Sequence, residues 1–523
     1  MSASRYDCIV IGAGHNGLTC AAYLARAGRR VLVLEAAGQA GGAAGTREFA
    51  PGFRASSCAH LLHLMPAWLL EELRLARHGL QMAAERMPTI ALSGASALRI
   101  PADCDPTAQD LGDLGATDGA AFQEYAARMR RLARALRPLL EAVPPRLGSR
   151  AWRDRLTLLG LGAKVRLLGR ADMRELLRIA GMCVQDLLDE HFESPLLKGA
   201  LAFDAVLGSN LGPRSPGSVF TLLYRLAAGG GAATSLAQPM GGLGALTEAL
   251  ARAATGAGAE LRCAAPVARM IVTQDSAAGV LLESGERLEA GCVVSSADPR
   301  TTFLRLLGAE HLDAGFVRRV AHLRTQGMTA KLHLALASMP RFTALAGAAP
   351  TGRLVLAPSL RAVEQAFNAA KYGRFSAAPL LEVIVPTAVD PTLAPADQHV
   401  LSAVVQYAPY GLAGGWEGQR EQFLETILQT LEAHAPGIRD CVRAAELLTP
   451  QDIETRFRIS GGHWHHAELA LDQFFMVRPV VGAAQYRAPL RGLFLCGAGC
   501  HPGGGVMGLA GHNAARQILA QAA

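Results

Sequence analysis

The stretch Tyr6-Asp-Cys-Ile-Val-Ile-Gly12-Ala-Gly14-His15-Asn16-Gly17, followed by Val31-Leu-Val-Leu34-Glu35, decides the fold. Residues 6–11 carry the apolar run of a buried strand. A glycine turn comes next, then a helix predicted over 17–27 with Gly28 at its end. Val31 to Leu34 reads as a second buried strand closed by an acid. Together these pieces make one βαβ unit. Gly12 permits the tight turn, Gly14 lets the backbone approach a pyrophosphate, and Gly17 lets helix and strand pack closely. His15 and Asn16 stand at the helix start, where free N–H groups favour an anion. Glu35 lies 18 residues past Gly17. A carboxylate there accepts both ribose hydroxyls of a dinucleotide and repels a 2′-phosphate.

Two further glycine segments narrow the dinucleotide to FAD. Gly41-Gly42, with Thr46, follows just after Glu35. A plain NAD domain does not need this pair, whereas chains that bind extended FAD use one where they pass the pyrophosphate again. Leu493-Phe-Leu-Cys-Gly-Ala-Gly499-Cys-His501-Pro-Gly-Gly-Gly505-Val506-Met507-Gly508 reads as strand, glycine turn and helix start, the helix running from about Val506. Such a helix end stabilises negative charge on a reduced flavin ring. The fold class is therefore α/β: a Rossmann-type FAD-binding domain assembled from discontinuous segments, with a substrate domain of mixed sheet and a helical lid.

Working outward, residues 67–214 read as mostly helical, with Phe122, Tyr125, Met129, Leu132 and Leu136 at helical spacing after Asp118 as N-cap. Strands are expected over 267–273, 279–283 and 292–295, and over 331–337 and 380–386 for a second sheet. A helix is expected around Phe423, Ile427 and Leu431. The expected division is 1–66, 215–310 and 451–523 for the FAD-binding domain, 67–214 for the lid, and 311–450 for the substrate domain.

Composition sets bounds on the rest. Of 523 residues half are hydrophobic and 18% charged, which allows a large core and argues against disorder. The formal charge of +7 is spread without blocks, so nucleic acid is not expected as a partner. The ten cysteines include no Cys-x-x-Cys, so neither a redox dithiol nor a zinc ribbon is indicated, and unpaired thiols fit a reducing compartment. The uncharged run Leu226–Thr247 holds six glycines and Pro239 and reads as loops around a short helix, not a membrane span. A cytoplasmic chain is expected. Arg146, Arg150, Arg153, Arg155, Lys164, Arg166 and Arg170 alternate with leucines, so the stretch 146–170 is a candidate docking face for an anionic membrane.

These motifs resemble the phytoene desaturase group of the amine oxidase-like flavoprotein superfamily. The resemblance runs through Gly41-Gly42-Ala43-Ala44, Pro51-Gly52-Phe53, Ala202-Phe-Asp-Ala-Val-Leu-Gly208, Gly241-Gly242-Leu-Gly244, Asp390-Pro-Thr-Leu-Ala-Pro395, Gln406-Tyr407, Arg478-Pro479 and Cys496-Gly-Ala-Gly499, nearly the whole chain. It implies non-covalent FAD and an oxidoreductase acting on an apolar substrate. By position, Gly12, Gly14, Gly17, Glu35 and Gly42 would hold the ADP half, Val267 would open the strand that meets the adenine, and Gly499, Gly505, Val506 and Met507 would line the ribityl chain and ring. The sequence departs from amine oxidases in two places: Ala43 stands where they carry arginine, and Leu236 and Gln238 where aromatic residues are common.

His60, His463 and His501 are candidates for catalysis, His60 and neighbouring His63 as proton acceptors. No acid or cysteine within the run His463-Trp-His-His466 completes a metal site, so no metal is expected. The preferred reading is a dehydrogenase or desaturase that passes a C–H hydride to flavin N5. Its rivals are an amine oxidase on the same fold and a non-catalytic flavin-containing partner protein.

Overall fold

The computed structural model describes residues 6–100, 113–146, 148–229 and 236–522. Its first sheet draws strands from both ends and the middle of the chain. The order is Val267–Thr273, Ser276–Leu282, Arg287–Ser295, Tyr6–Ile11, Val31–Leu34 and Glu260–Arg262, with Leu493–Leu495 beside Val293–Ser295. Tyr6–Ile11 lies parallel to both of its neighbours, Cys8 opposite Cys292 on one side and Val31 on the other. Val31–Leu34 is buried throughout, as a parallel strand covered on both faces requires.

A second, mixed sheet runs Val442–Leu448, Thr329–Leu336, His399–Gln406, Leu380–Ile384, Arg353–Leu356, Thr89–Ser93 and Ser96–Ile100. All of its pairings are antiparallel except Arg353–Leu356 with Thr89–Ser93. One face packs on the helix Arg420–His434 through Phe423, Ile427 and Leu431.

Several elements differ from expectation. Residues 89–100 are not helical: they form a hairpin around Gly94, whose φ of 56° suits a tight turn, and join the second sheet. The long helix begins at Gly115, so Asp118 does not cap it. Its carboxylate instead accepts from Glu193 N and Ser194 N, at 2.8 and 2.7 Å, and fixes the entry to the helix Pro195–Val206. The last helix starts at Leu509, because Val506 and Gly508 both take left-handed conformations. Of the run Leu226–Thr247, residues 230–235 lie outside the described residues; helices Ser218–Ala228 and Leu243–Gly256 flank them. Among the described residues no helix is long and apolar enough to cross a membrane.

Candidate functional site

The glycine turn is built by close backbone contacts. Gly12 N donates to Leu34 O at 2.7 Å, tying turn to second strand. A side chain at Gly17 would strike the carbonyl of Gly12, so helix His15–Arg26 could not sit this close to the strand with any other residue there. Gly41 bridges to Gly14, its N–H donating to Ala13 O at 2.9 Å. Glu35 accepts from Ala13 N at 2.7 Å and Ala37 N at 2.9 Å, so the acid orders the loops on both sides of it. The helix has no acidic residue in its first turn and no side chain capping its N-terminus, which leaves that end free for an anion.

A cavity of about 360 Å³ starts here and runs toward the second sheet. Gly12, Gly14, His15, Asn16, Glu35, Gly41, Gly42, Val267, Gly505 and Val506 line it, and so does His60. Gly17 and Gly499 stand behind the wall, Gly17 against Gly12 and Gly499 against Pro299. Met507 is buried, its sulfur 3.7 Å from Tyr224 Oη, and is not a lining residue. His501 is not one either: Nε2 bonds Leu139 O at 2.7 Å and the ring packs on Phe475. His463 is likewise set back, its Nδ1 accepting from His465 N, while His465 and His466 reach the cavity. Among the described residues no group of three or more His, Cys, Asp or Glu is placed to hold a metal ion.

The wall suits a bound dinucleotide. His15 Nε2, Asn16 Oδ1, Trp464 Nε1, His465 Nδ1 and His466 Nδ1 are buried without hydrogen-bond partners, although such atoms are rarely left unsatisfied. Burial holds His15 and His466 neutral, near 4. The C-terminal glycines bring the chain under this wall: a side chain at Gly504 would collide with His465, one at Gly505 with Leu64, and one at Gly503 with Tyr224 Oη. Tyr224 Oη donates to Gly504 O at 2.7 Å and locks the run in place. The fully buried guanidinium of Arg478 donates to the carbonyls of His465, Ala467, Glu468, Gln473 and Ala498, and so joins the histidine segment to the glycine turn. Burial lowers it to about 10. Val506 sits at φ 59°, a strained conformation for a β-branched residue, held where it faces the cavity.

At the far end the wall is mostly apolar, with Leu61, Leu64, Leu207, Leu236, Val404 and Leu469. A buried ionic network backs it. Glu382, in the middle of an otherwise apolar strand, accepts from His60 Nε2 at 2.8 Å and Arg353 Nε at 2.5 Å. Lys331 Nζ lies 2.6 Å from His60 Nδ1. Since the lysine nitrogen donates, Nδ1 is the acceptor and Nε2 carries the proton given to Glu382. Arg353 also reaches Asp204 at 2.5 Å. Burial pushes Glu382 up, but Arg353 and the bond from His60 outweigh it and hold the carboxyl well below its usual range. Burial, with the adjacent Lys331, takes His60 down to about 4, and burial takes Lys331 to about 7. His60 therefore has both nitrogens engaged. His63, also a lining residue, has neither nitrogen engaged, and burial with nearby Arg225 lowers it to about 3.

Sequence reasoning missed Glu382, Arg353 and Arg225. The legible signal for the first was a lone charge inside the apolar run Leu-Leu-Glu-Val-Ile, which a core strand does not tolerate without a partner.

Comparison with known proteins agrees with this geometry. The sequence family described as "Flavin containing amine oxidoreductase" matches residues 17–519. The chain is 38% identical to pyridine nucleotide-disulfide oxidoreductase domain-containing protein 2 of Mus musculus, over 98% of this chain and 93% of the relative. It is 28% identical to a phytoene dehydrogenase of Streptomyces griseus, over 95% and 92%. The fold matches that of a putrescine oxidase bound to putrescine, with a TM-score of 0.63 at 17% identity and 99% of each chain covered. The chain belongs to the flavin-containing amine oxidoreductase family, with phytoene desaturase-like relatives.

Proposed function

We propose that the protein binds FAD non-covalently and dehydrogenates an apolar substrate at a carbon–carbon bond. The observation that carries this is the cavity itself: it begins at the Glu35 and Gly14 end of the dinucleotide fold and ends among leucines. The ADP half would lie along Gly12, Gly14, Glu35, Gly42 and Val267, and the ring end beside Gly505 and Val506. When bound, the flavin supplies a two-electron acceptor for hydride. The protein's own work is to exclude water, orient the substrate against the glycine run and take up the second hydrogen as a proton. His63 is the residue placed for the proton, being neutral, cavity-facing and uncommitted. His60 serves as a positioning residue that fixes Glu382 and Lys331. The phytoene dehydrogenase and phytoene desaturase among its relatives support chemistry at C–C bonds. Ala43, in place of the arginine common in amine oxidases, weighs against amines.

We further propose a docking role at an anionic membrane for the helix Trp152–Leu167, supported by the exposure of Trp152, Leu156 and Leu159 beside basic residues and not by a separate apolar face, which this helix lacks. The test of the reaction is anaerobic. The purified yellow protein is mixed with long-chain unsaturated and saturated hydrocarbons and their oxygenated derivatives, and flavin bleaching is followed at about one FAD per chain. Bleaching by these compounds, with His63→Gln slowing it by about 10²-fold or more, is the expected result. Bleaching by simple amines alone, with peroxide released in air, would replace this reading with amine oxidation.

A further inference from the structure

Helix Ser218–Ala228 turns Thr221, Tyr224 and Arg225 toward the cavity, one helical turn apart. Tyr224 is spent on Gly504 O, as described above. The other two are not spent in the same way. Thr221 is 2% exposed and its hydroxyl has no hydrogen-bond partner, although a helical threonine ordinarily bonds the carbonyl one turn back. Arg225 Nη2 lies 3.5 Å from Asp204 Oδ1, and that same oxygen is held at 2.5 Å by Arg353. Arg225 thus has second call on a carboxylate that is already bonded. Two donors, one of them cationic, stand in the wall among leucines, His60 and Glu382, and His63, whose ring nitrogens have no partner, also lines this cavity.

We infer that Thr221 and Arg225 form an oxygen-binding pair, so that the substrate is an apolar molecule carrying a carbonyl group beside the carbons that react. The inference rests on the dehydrogenase reading and narrows it. Arginine offers donors and no acceptor, and the threonine hydroxyl supplies a second donor, which matches the two lone pairs of a carbonyl oxygen. Charge excludes the nearest alternatives. Arg225 and Arg353 face Asp204 and Glu382, and Lys331 is spent on His60, so a carboxylate would find no uncommitted counter-charge, and an ammonium group would face Arg225 directly. A bare hydrocarbon would leave the buried Thr221 hydroxyl unpaired and the half-buried Arg225 with only its 3.5 Å contact to Asp204. A carbonyl held there also acidifies the adjacent C–H bond, which places the proton that His63 is positioned to accept on a carbon where it can be removed.

Binding decides the question without turnover. The flavin-loaded protein is titrated with a long-chain methyl ketone and with the alkane, alcohol, fatty acid and amine of matching length. The readouts are the absorption of the bound flavin and the fluorescence of Trp464 in the cavity wall. The ketone is expected to bind about tenfold or more tighter than the alkane. Thr221→Val keeps the shape of the side chain and should remove most of that preference while leaving alkane affinity unchanged; Arg225→Gln should do the same. Equal affinity for ketone and alkane would overturn the inference, as would variants that weaken both alike, or tightest binding of the acid, the alcohol or the amine. Failure of the dehydrogenase reading shows differently, as absent flavin or flavin that no ligand bleaches, and the tryptophan signal still reports the preference in either case.

Discussion

Glu35 and Lys331 are single residues with separable consequences. Both oxygens of Glu35 meet backbone N–H groups of adjoining loops, so its loss loosens the glycine turn, and on the proposed function it also removes the ribose acceptor. Glu35→Ala should weaken FAD binding by ~1.5–3 kcal/mol, the scale of a charge-assisted hydrogen bond, read by titrating apoprotein with FAD. Unchanged affinity would remove Glu35 from the site. Lys331 tests the buried network through pH. In the folded chain its proton is held to about 7, against 10.5 for the free side chain, because burial disfavours the ammonium. Between those values the unfolded chain carries the extra proton, so the folded state gains stability as pH rises from 7 toward 10. The slope from this group is at most ~1.4 kcal/mol per pH unit. Denaturant melts across that range should show wild type gaining on Lys331→Met as pH rises. Parallel curves would mean that the lysine titrates normally.

At the scale of elements, the contact of the first helix with the last decides whether the dinucleotide fold closes. Gly511 lies where a side chain would run into Asn16 O and crowd Cys20 N. Gly511→Val should therefore separate Leu509–Ala522 from His15–Arg26 and lower stability by about 1–3 kcal/mol, with loss of bound flavin. Calorimetry and the flavin-to-protein absorbance ratio check both parts. The second sheet has its own tie, Arg353, which holds Glu382 of a central strand and Asp204 of the helix Pro195–Val206. Arg353→Leu leaves buried Glu382 with only the bond from His60 and Asp204 with only the longer contact to Arg225, and should cost about 3–5 kcal/mol, more than the loss of an exposed ion pair. A melting temperature equal to wild type would show that the network relaxes without it.

Across the whole molecule, local patterns were legible and pairings across long distances were not. The run from Tyr6 to Glu35 specifies strand, turn, helix and acid by local rules, and the structure returns those elements within two residues. The hairpin at 89–100 was hidden because its strands are short and meet partners more than 250 residues away, at 353–356. The floor of the cavity was hidden for the same reason: His60, Lys331 and Glu382 adjoin only because three separate segments converge. That pattern of assembly bears on biosynthesis. The strand Leu493–Leu495 pairs with Val293–Ser295, and the glycine run after it brings Gly505 and Val506 to the cavity wall. Once Arg287–Ser295 has been made, an emerging polypeptide therefore holds all but one strand of this sheet, without the last wall of the cavity, until Leu493–Leu495 follows. On the proposed function, flavin capture would wait until the segment 493–508 has emerged, and a chain stopped before Gly497 is expected to be colourless rather than partly active.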